Sequence, residues 1–185
     1  MASAILPDGS RRELADGSTV QQLAESIGRG LAKAAVVGKV DDKVVDLSFP
    51  LTGEHKVSIL TDKDPIALQT LRHSAAHVMA EAIQNLWPDA KLAYGPPLEN
   101  GFYYDLALDK PISTADFEKI EAEMKKIVAE NRPFTRYELP PGDGMARLDR
   151  EGNKYKVDNF RRAIDGGTPS LSGYVTGEKD KNWED

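Results

Sequence analysis

Apolar residues change their spacing several times along the chain, and each change marks an element. Ser3–Leu6 and Arg11–Leu14 are short extended stretches on either side of Pro7-Asp8-Gly9-Ser10, whose residues are those of a turn. Thr19 and Gln22 have capping-box spacing, and Val20, Leu23, Ala24 and Ile27 then recur at helical steps up to Gly28. Lys33–Val40 and Lys43–Leu47 read as strands joined at Asp41-Asp42, and Lys56–Leu60 alternates as a last strand. Beyond it the period lengthens. Asp64-Pro65 opens a helix whose apolar stripe is Leu68, Leu71, Ala75, Met79, Ala82 and Leu86, and Trp87-Pro88 ends it.

In the next stretch, Gly95-Pro96-Pro97 and Asn100-Gly101 are turn signals, so two extended pieces meet at Asn100-Gly101. On the second piece Phe102 and Tyr104 point to one side and Tyr103 to the other. Ser113 and Asp116 open another helix, with Phe117, Ile120, Met124, Ile127 and Val128 as its buried side and Asn131-Arg132-Pro133 as its stop. Phe134–Leu139 is a strand that Pro140-Pro141-Gly142 breaks, and Met145–Arg150 is a short helix. Lys154–Val157 alternates like a strand that turns Lys154 and Lys156 to one face. Residues 165–177, rich in Gly, Ser, Thr and Pro, read as a loop or flexible lid. A tryptophan and two carboxylates at Asn182–Asp185 read as a fold that continues past the last residue. A hairpin, a helix, a second hairpin and a last strand suggest a ubiquitin-like β-grasp for residues 1–62, and the polar Thr61–Asp64 joint separates it from 63–185. The expected class is α+β in two domains.

Composition narrows the partners. A formal charge of −6 argues against a protein that grips nucleic acid by bulk electrostatics. Arg11, Arg12, Arg29, Lys33 and Lys39 either touch phosphates locally or solvate a face. There is no cysteine, hence no disulfide framework and no thiol nucleophile. No apolar run nears 18 residues and no charged-then-apolar leader opens the chain, so no membrane span is expected and a cytoplasmic location is.

Two of the three histidines, His73 and His77, lie four apart in the helix at 65–86. That spacing puts both imidazoles within about 40° on one face, some 140–180° from the centre of the apolar stripe. Ala76, Ala80 and Gln84 flank them. The pair can position a ligand or a water, or it can be a solvated pair with no task; spacing alone leaves both open. Two imidazoles with His55 in another segment fall short of the three or four ligands of a zinc site.

Taken together, Arg72-His73-Ser74-Ala75-Ala76-His77, the Tyr94–Asp105 stretch with Gly95-Pro96 and Asn100-Gly101-Phe102-Tyr103-Tyr104-Asp105, and Tyr155-Lys156 resemble the N-terminal region of bacterial threonyl-tRNA synthetases. Leu6-Pro7-Asp8-Gly9-Ser10 and Gly30-Leu31-Ala32-Lys33-Ala34 resemble the β-grasp module of that family, the TGS domain. Residues 63–185 resemble its editing domain, shared in outline with alanyl-tRNA synthetases and free-standing editing proteins. In the family the editing motif has a second half, a Cys and a His three residues beyond it, after an acidic residue. Asp185 resembles that acidic residue, so the chain reads as truncated before the second half.

The resemblance implies hydrolysis of seryl-tRNA mischarged on threonine tRNA. His73 and His77 would position or deprotonate water, Lys156 would offset the oxyanion or hold the terminal ribose, Asp185 would orient a partner, and Tyr104 would donate from its phenol to the substrate. It implies no cofactor and no metal in these residues; ATP, Mg and Zn belong to the aminoacylation core, and dimerisation of the parent enzyme to other segments. Two further readings stand beside it. One is a non-catalytic tRNA- or protein-binding TGS module with a scaffold domain, the other a zinc-dependent deacylase of alanyl type.

Overall fold

The first strands close as the alternation requires. In the computed structural model, which describes residues 1–176, β1 (Ala2–Ile5) pairs antiparallel with β2 (Arg11–Leu14) around the Pro7–Ser10 turn. The helix α1 (Val20–Ile27) starts on a complete capping box. The Thr19 hydroxyl accepts from the Gln22 amide and the Gln22 side chain accepts from the Thr19 amide. A six-residue helix α2 (Arg29–Ala34) follows, then β3 (Ala35–Val40), β4 (Lys43–Val45) and β5 (Glu54–Thr61). The sheet order is β2-β1-β5-β3-β4, with β1 and β5 parallel and the other pairs antiparallel. This is the β-grasp arrangement. Val20 and Leu23 of α1 pack on Ala2, Ala4, Val40, Leu51 and Val57 to make its core.

One boundary differs from expectation. Lys33 and Ala34 end a helix, and β3 begins only at Ala35. Leu31, Ala32, Lys33 and Ala34 are all good helix formers, and the Ala35 amide closes the last turn on the Leu31 carbonyl. The β3–β4 turn is made at Asp41 and Asp42, both at positive φ (45° and 70°), as a two-residue hairpin of right-handed twist demands. Asp41 is also held from the side. Its Oδ1 accepts from the Lys56 amide at 2.9 Å, and its Oδ2 lies 2.6 Å from Nδ1 of His55. Nε2 of that ring lies 2.7 Å from the Thr52 carbonyl oxygen.

The long helix α3 (Pro65–Leu86) has the predicted bounds, capped where the Ile66 amide donates to Asp64 Oδ1 at 2.8 Å. Of its predicted stripe, Ala82 is buried and Leu68, Ala75, Met79 and Leu86 are half-buried, whereas Leu71 is exposed. The buried positions are Ala67 near the start and Ala76, Ala80, Ala82 and Ile83 further on. Ala67 and Ala76 are nine residues apart, about 180° around the helix. Burial therefore extends beyond the predicted stripe to further sides of the helix. The division of the chain into compact units falls on this helix. Met1–Ser74 with Pro97–Gly101 form one unit, and Ala75–Pro96 with Phe102 onward form the other.

The second unit adds β6 (Lys91–Tyr94), and after it come the short pieces β7 (Pro97–Leu98) and β8 (Gly101–Phe102), then β9 (Asp105–Ala107), which pairs with β6. Next are α4 (Phe117–Ala129), β10 (Phe134–Leu139), α5 (Pro141–Glu151), α6 (Lys154–Asp165) and β11 (Leu171–Thr176). Ile83, Ala90 and Ile120 form a core with Met79, Trp87, Leu106 and Met124 around it. Of the side expected to be buried on α4, Ile120 and Ile127 are buried and Met124 is half-buried, whereas Phe117 and Val128 are exposed.

Two elements correct the sequence reading. Lys154–Val157 is the first turn of α6 and not a strand, because Asn153 caps it. Its side-chain oxygen accepts from the Tyr155 and Lys156 amides, and Gly152, left-handed at φ 64°, ends α5 just before. The Gly- and Ser-rich tail is not a loop throughout, since Leu171–Thr176 pairs antiparallel with β10 along its whole length. Gly173 belongs there for contact, not for turning. The Tyr137 ring lies across it, and a Cβ at 173 would sit 2.6 Å from the phenol oxygen. No helix among the described residues is long and apolar enough to cross a membrane.

Candidate active site

His73 and His77 are both exposed on α3, one turn apart. Beside His77, in the second unit, opens a cleft of about 220 Å³. From α3 it takes His77, Ala80, Glu81 and Gln84, which fall within about 100° of helix surface. Phe134 from β10 and Tyr174 and Thr176 from β11 form the facing side, with Leu92 of β6. The volume lies below the 300–1,000 Å³ usual for whole small-molecule ligands, so the cleft admits one small group.

An ion-pair group borders this cleft. Glu81 pairs with the guanidinium of Arg132, whose Nε lies 2.7 Å from Glu130. Chiefly through Glu81, this raises the Arg132 pKa above its ordinary range. The pairing ties the stretch just before β10 to α3, and with it Phe134 to the cleft. Sequence reasoning missed Glu81, Tyr174 and Thr176. The signal for Glu81 was its place one turn after His77; β11 carried none, since its Gly and Ser read as loop.

Tyr104 is half-buried, and burial raises its phenol pKa. Its ring lies on the Gly95 backbone, where a Cβ would meet ring carbons at 2.3 and 2.4 Å. This explains the glycine of the Gly95-Pro96 pair: only a residue without a side chain lets the ring lie so close. Tyr103 is exposed, whereas Phe102 and Tyr104 are half-buried. Lys156 points its ammonium at Glu151, 2.8 Å from Oε2, while Oε1 of the same carboxylate lies 3.4 Å from Nε of Arg147. The Arg147 guanidinium in turn lies 5.2 Å from the centre of the Tyr137 ring. Neither Tyr104 nor Lys156 lines the cleft beside His77. Asp185 lies outside the described residues. Among the described residues no group of three or more His, Cys, Asp or Glu is placed to hold a metal ion.

Comparison with known proteins gives this architecture its class. Residues 3–61 match the TGS domain family, so the β-grasp unit is a TGS domain followed by a second α+β unit. The chain is 48% identical over 156 residues to the threonine–tRNA ligase of Pelobacter propionicus, covering 84% of this chain and 24% of that protein. It is 46% identical over 157 residues to the threonine–tRNA ligase of Hyphomonas neptunium, with 85% and 24% covered. With that of Acetivibrio thermocellus it shares 43% over 171 residues, 92% of this chain and 27% of the relative. The chain is thus homologous to threonine–tRNA ligases and spans about a quarter of their length.

Proposed function

We propose that this chain is the N-terminal part of a threonine–tRNA ligase and that its second unit serves hydrolytic proofreading, releasing serine from threonine tRNA. The observation that carries the reading is the His73–His77 pair, exposed on one helix face with His77 lining a small cleft. The chemical need is plain. A threonine site rejects serine only by one methyl group, worth about 1–3 kcal/mol, which is too little for translation. A second site that cleaves the wrong ester supplies the rest.

Ester hydrolysis requires a positioned or deprotonated water and a countercharge for the oxyanion. The imidazoles of His73 and His77 do the first. Lys156 supplies the second or holds the terminal ribose, with Glu151 as its counter-ion in the unliganded chain. Tyr104 donates from its phenol to the substrate, and Asp185 orients a partner. On this reading the partners are threonine tRNA and its seryl ester. These residues need no cofactor, and ATP, Mg and Zn belong to an aminoacylation core elsewhere. The parent enzyme is a cytoplasmic homodimer joined through other segments.

The test is deacylation of seryl-tRNA and threonyl-tRNA, both on threonine tRNA, by this chain and by a form extended through the residues that follow in its relatives. Selective release of serine, reduced about 10²–10⁴-fold in His73→Ala and His77→Ala, is the expected result. TRNA binding without serine release in either form would leave a binding module instead.

A further inference from the structure

We infer that the cleft beside His77 selects esters with a free α-amino group, receiving the α-ammonium on the carboxylate of Glu81. The inference rests on the proofreading reading and goes further by defining the substrate class. Glu81 follows His77 by one helical turn, a rise of about 6 Å, and both line the same cleft. In an aminoacyl ester the α-nitrogen is two bonds from the carbonyl carbon, about 2.5 Å away. A carbonyl placed for attack by water at His77 therefore has its ammonium within reach of the next turn.

The charge at that turn is of the right sign. Arg132 is shared between Glu81 and Glu130, so within this group of described residues two carboxylates and one guanidinium leave one negative charge. Arg132 is engaged by Oε1 of Glu81, and Oε2 makes no other ion pair among the described residues. The Glu81 side chain is 27% exposed, covered enough for its charge to be felt and open enough to be reached. Among the described residues no lysine or arginine lines the cleft to compete for it. The small volume suits an aminoacyl head and excludes a base.

The experiment uses two stable amide probes, L-serine joined to 3′-amino-3′-deoxyadenosine and the N-acetyl derivative of the same compound, titrated into this chain by NMR. The free-amine probe is expected to bind at least about tenfold more tightly than the acetylated one, the scale of one charge-assisted contact. Glu81→Gln should erase that difference by weakening only the free-amine probe. Arg132→Gln removes the competing guanidinium without touching the carboxylate; it also loosens β10, so both probes should weaken, but the preference for the free amine should stay at least as large as in the native chain. A purely structural role for the Glu81–Arg132 pair makes Glu81→Gln weaken both probes alike and keep their ratio, which overturns the inference. Equal affinity of the two probes, or no binding of the free-amine probe, overturns it as well. If seryl-tRNA is still deacylated selectively, only the inference falls. If it is not, the proofreading reading falls with it.

Discussion

Gly95→Ala tests the link between the Gly-Pro turn and Tyr104. The added methyl would lie 2.3 Å from one ring carbon and 2.4 Å from another, whereas ordinary contact begins near 3.4 Å, so the ring must retreat by about 1.1 Å. Alanine before Pro96 is at ease in extended backbone, which leaves the clash as the only new term. Overpacking of this kind costs about 1–3 kcal/mol; because Tyr104 is half-buried and can swing outward, about 1–2 kcal/mol is expected. At the size of this unit that is a fall in Tm of about 5–15 °C. The ring also carries a reporter. Its phenol pKa is raised by burial, so outward displacement should bring it down toward 10. If the phenol contacts substrate, a displacement near 1 Å should lower the deacylation rate by as much as about 10²-fold. The assay is calorimetric Tm with NMR titration of the tyrosine, in Gly95→Ala, Tyr104→Ala and the double variant. In the double variant the methyl has nothing to strike, so the costs should be less than additive. An unchanged Tm together with an unchanged Tyr104 titration in Gly95→Ala would show that the contact does not constrain the ring.

His55 should give the first unit a pH-dependent stability. Both ring nitrogens face oxygen acceptors, and chiefly through Asp41 the folded pKa is raised above the ordinary 6.5, so the contribution is complete below about pH 6.5 and is lost as pH rises through the folded value. Asp41 is shifted the other way, chiefly by His55. Its share is present above the unfolded carboxylate value of 3.8 and is lost as pH falls through the depressed folded one. Urea midpoints at about pH 5.5 and about pH 8.5 should therefore differ more in the native chain than in His55→Gln, and equal differences would refute the pairing. Asn153→Ala should cost about 2–4 kcal/mol in urea unfolding. It removes the cap of α6 and leaves the Leu92 carbonyl, which accepts from Asn153 Nδ2 at 2.7 Å, without that partner. Asn153→Asp keeps the cap but not the donor and should fall between; a loss as large as that of alanine would assign the whole effect to the Leu92 contact.

How legible each part was depends on how local its cause is. The bounds of α3 were readable because Asp64-Pro65 and Trp87-Pro88 are punctuation within the segment itself. Its buried face was legible in part: Ala82 is buried and Met79 and Leu86 pack on the core, but Ala67 and Ala76, which face opposite ways, are covered as well, and only their surroundings decide that. The β-grasp order was legible from spacing and turns, and the TGS match over residues 3–61 agrees with it. Lys154–Val157 alternates as well as many strands do, yet the Asn153 side chain reaches two following amides and turns the same residues into a helix. Local hydrogen bonding decided against periodicity there. β11 was hidden for a different reason, since Gly173 is small to accommodate Tyr137, a residue 36 positions earlier that only strand pairing brings alongside.

The candidate site divides along the same line. His73 and His77 could be found because four residues of helix put them together. Glu81 sits at the next such step but looks like any surface glutamate until Arg132, 51 residues on, ties it to the start of β10. That tie brings Phe134, and through the β10–β11 pairing Thr176, to face His77 across the cleft. Whether the histidines act on an ester therefore depends on a wall that the helix does not supply. A change that loosens β10 from α3 should alter substrate selection before it alters the chemistry at His77, because it opens the cleft while leaving the helix that carries both imidazoles intact.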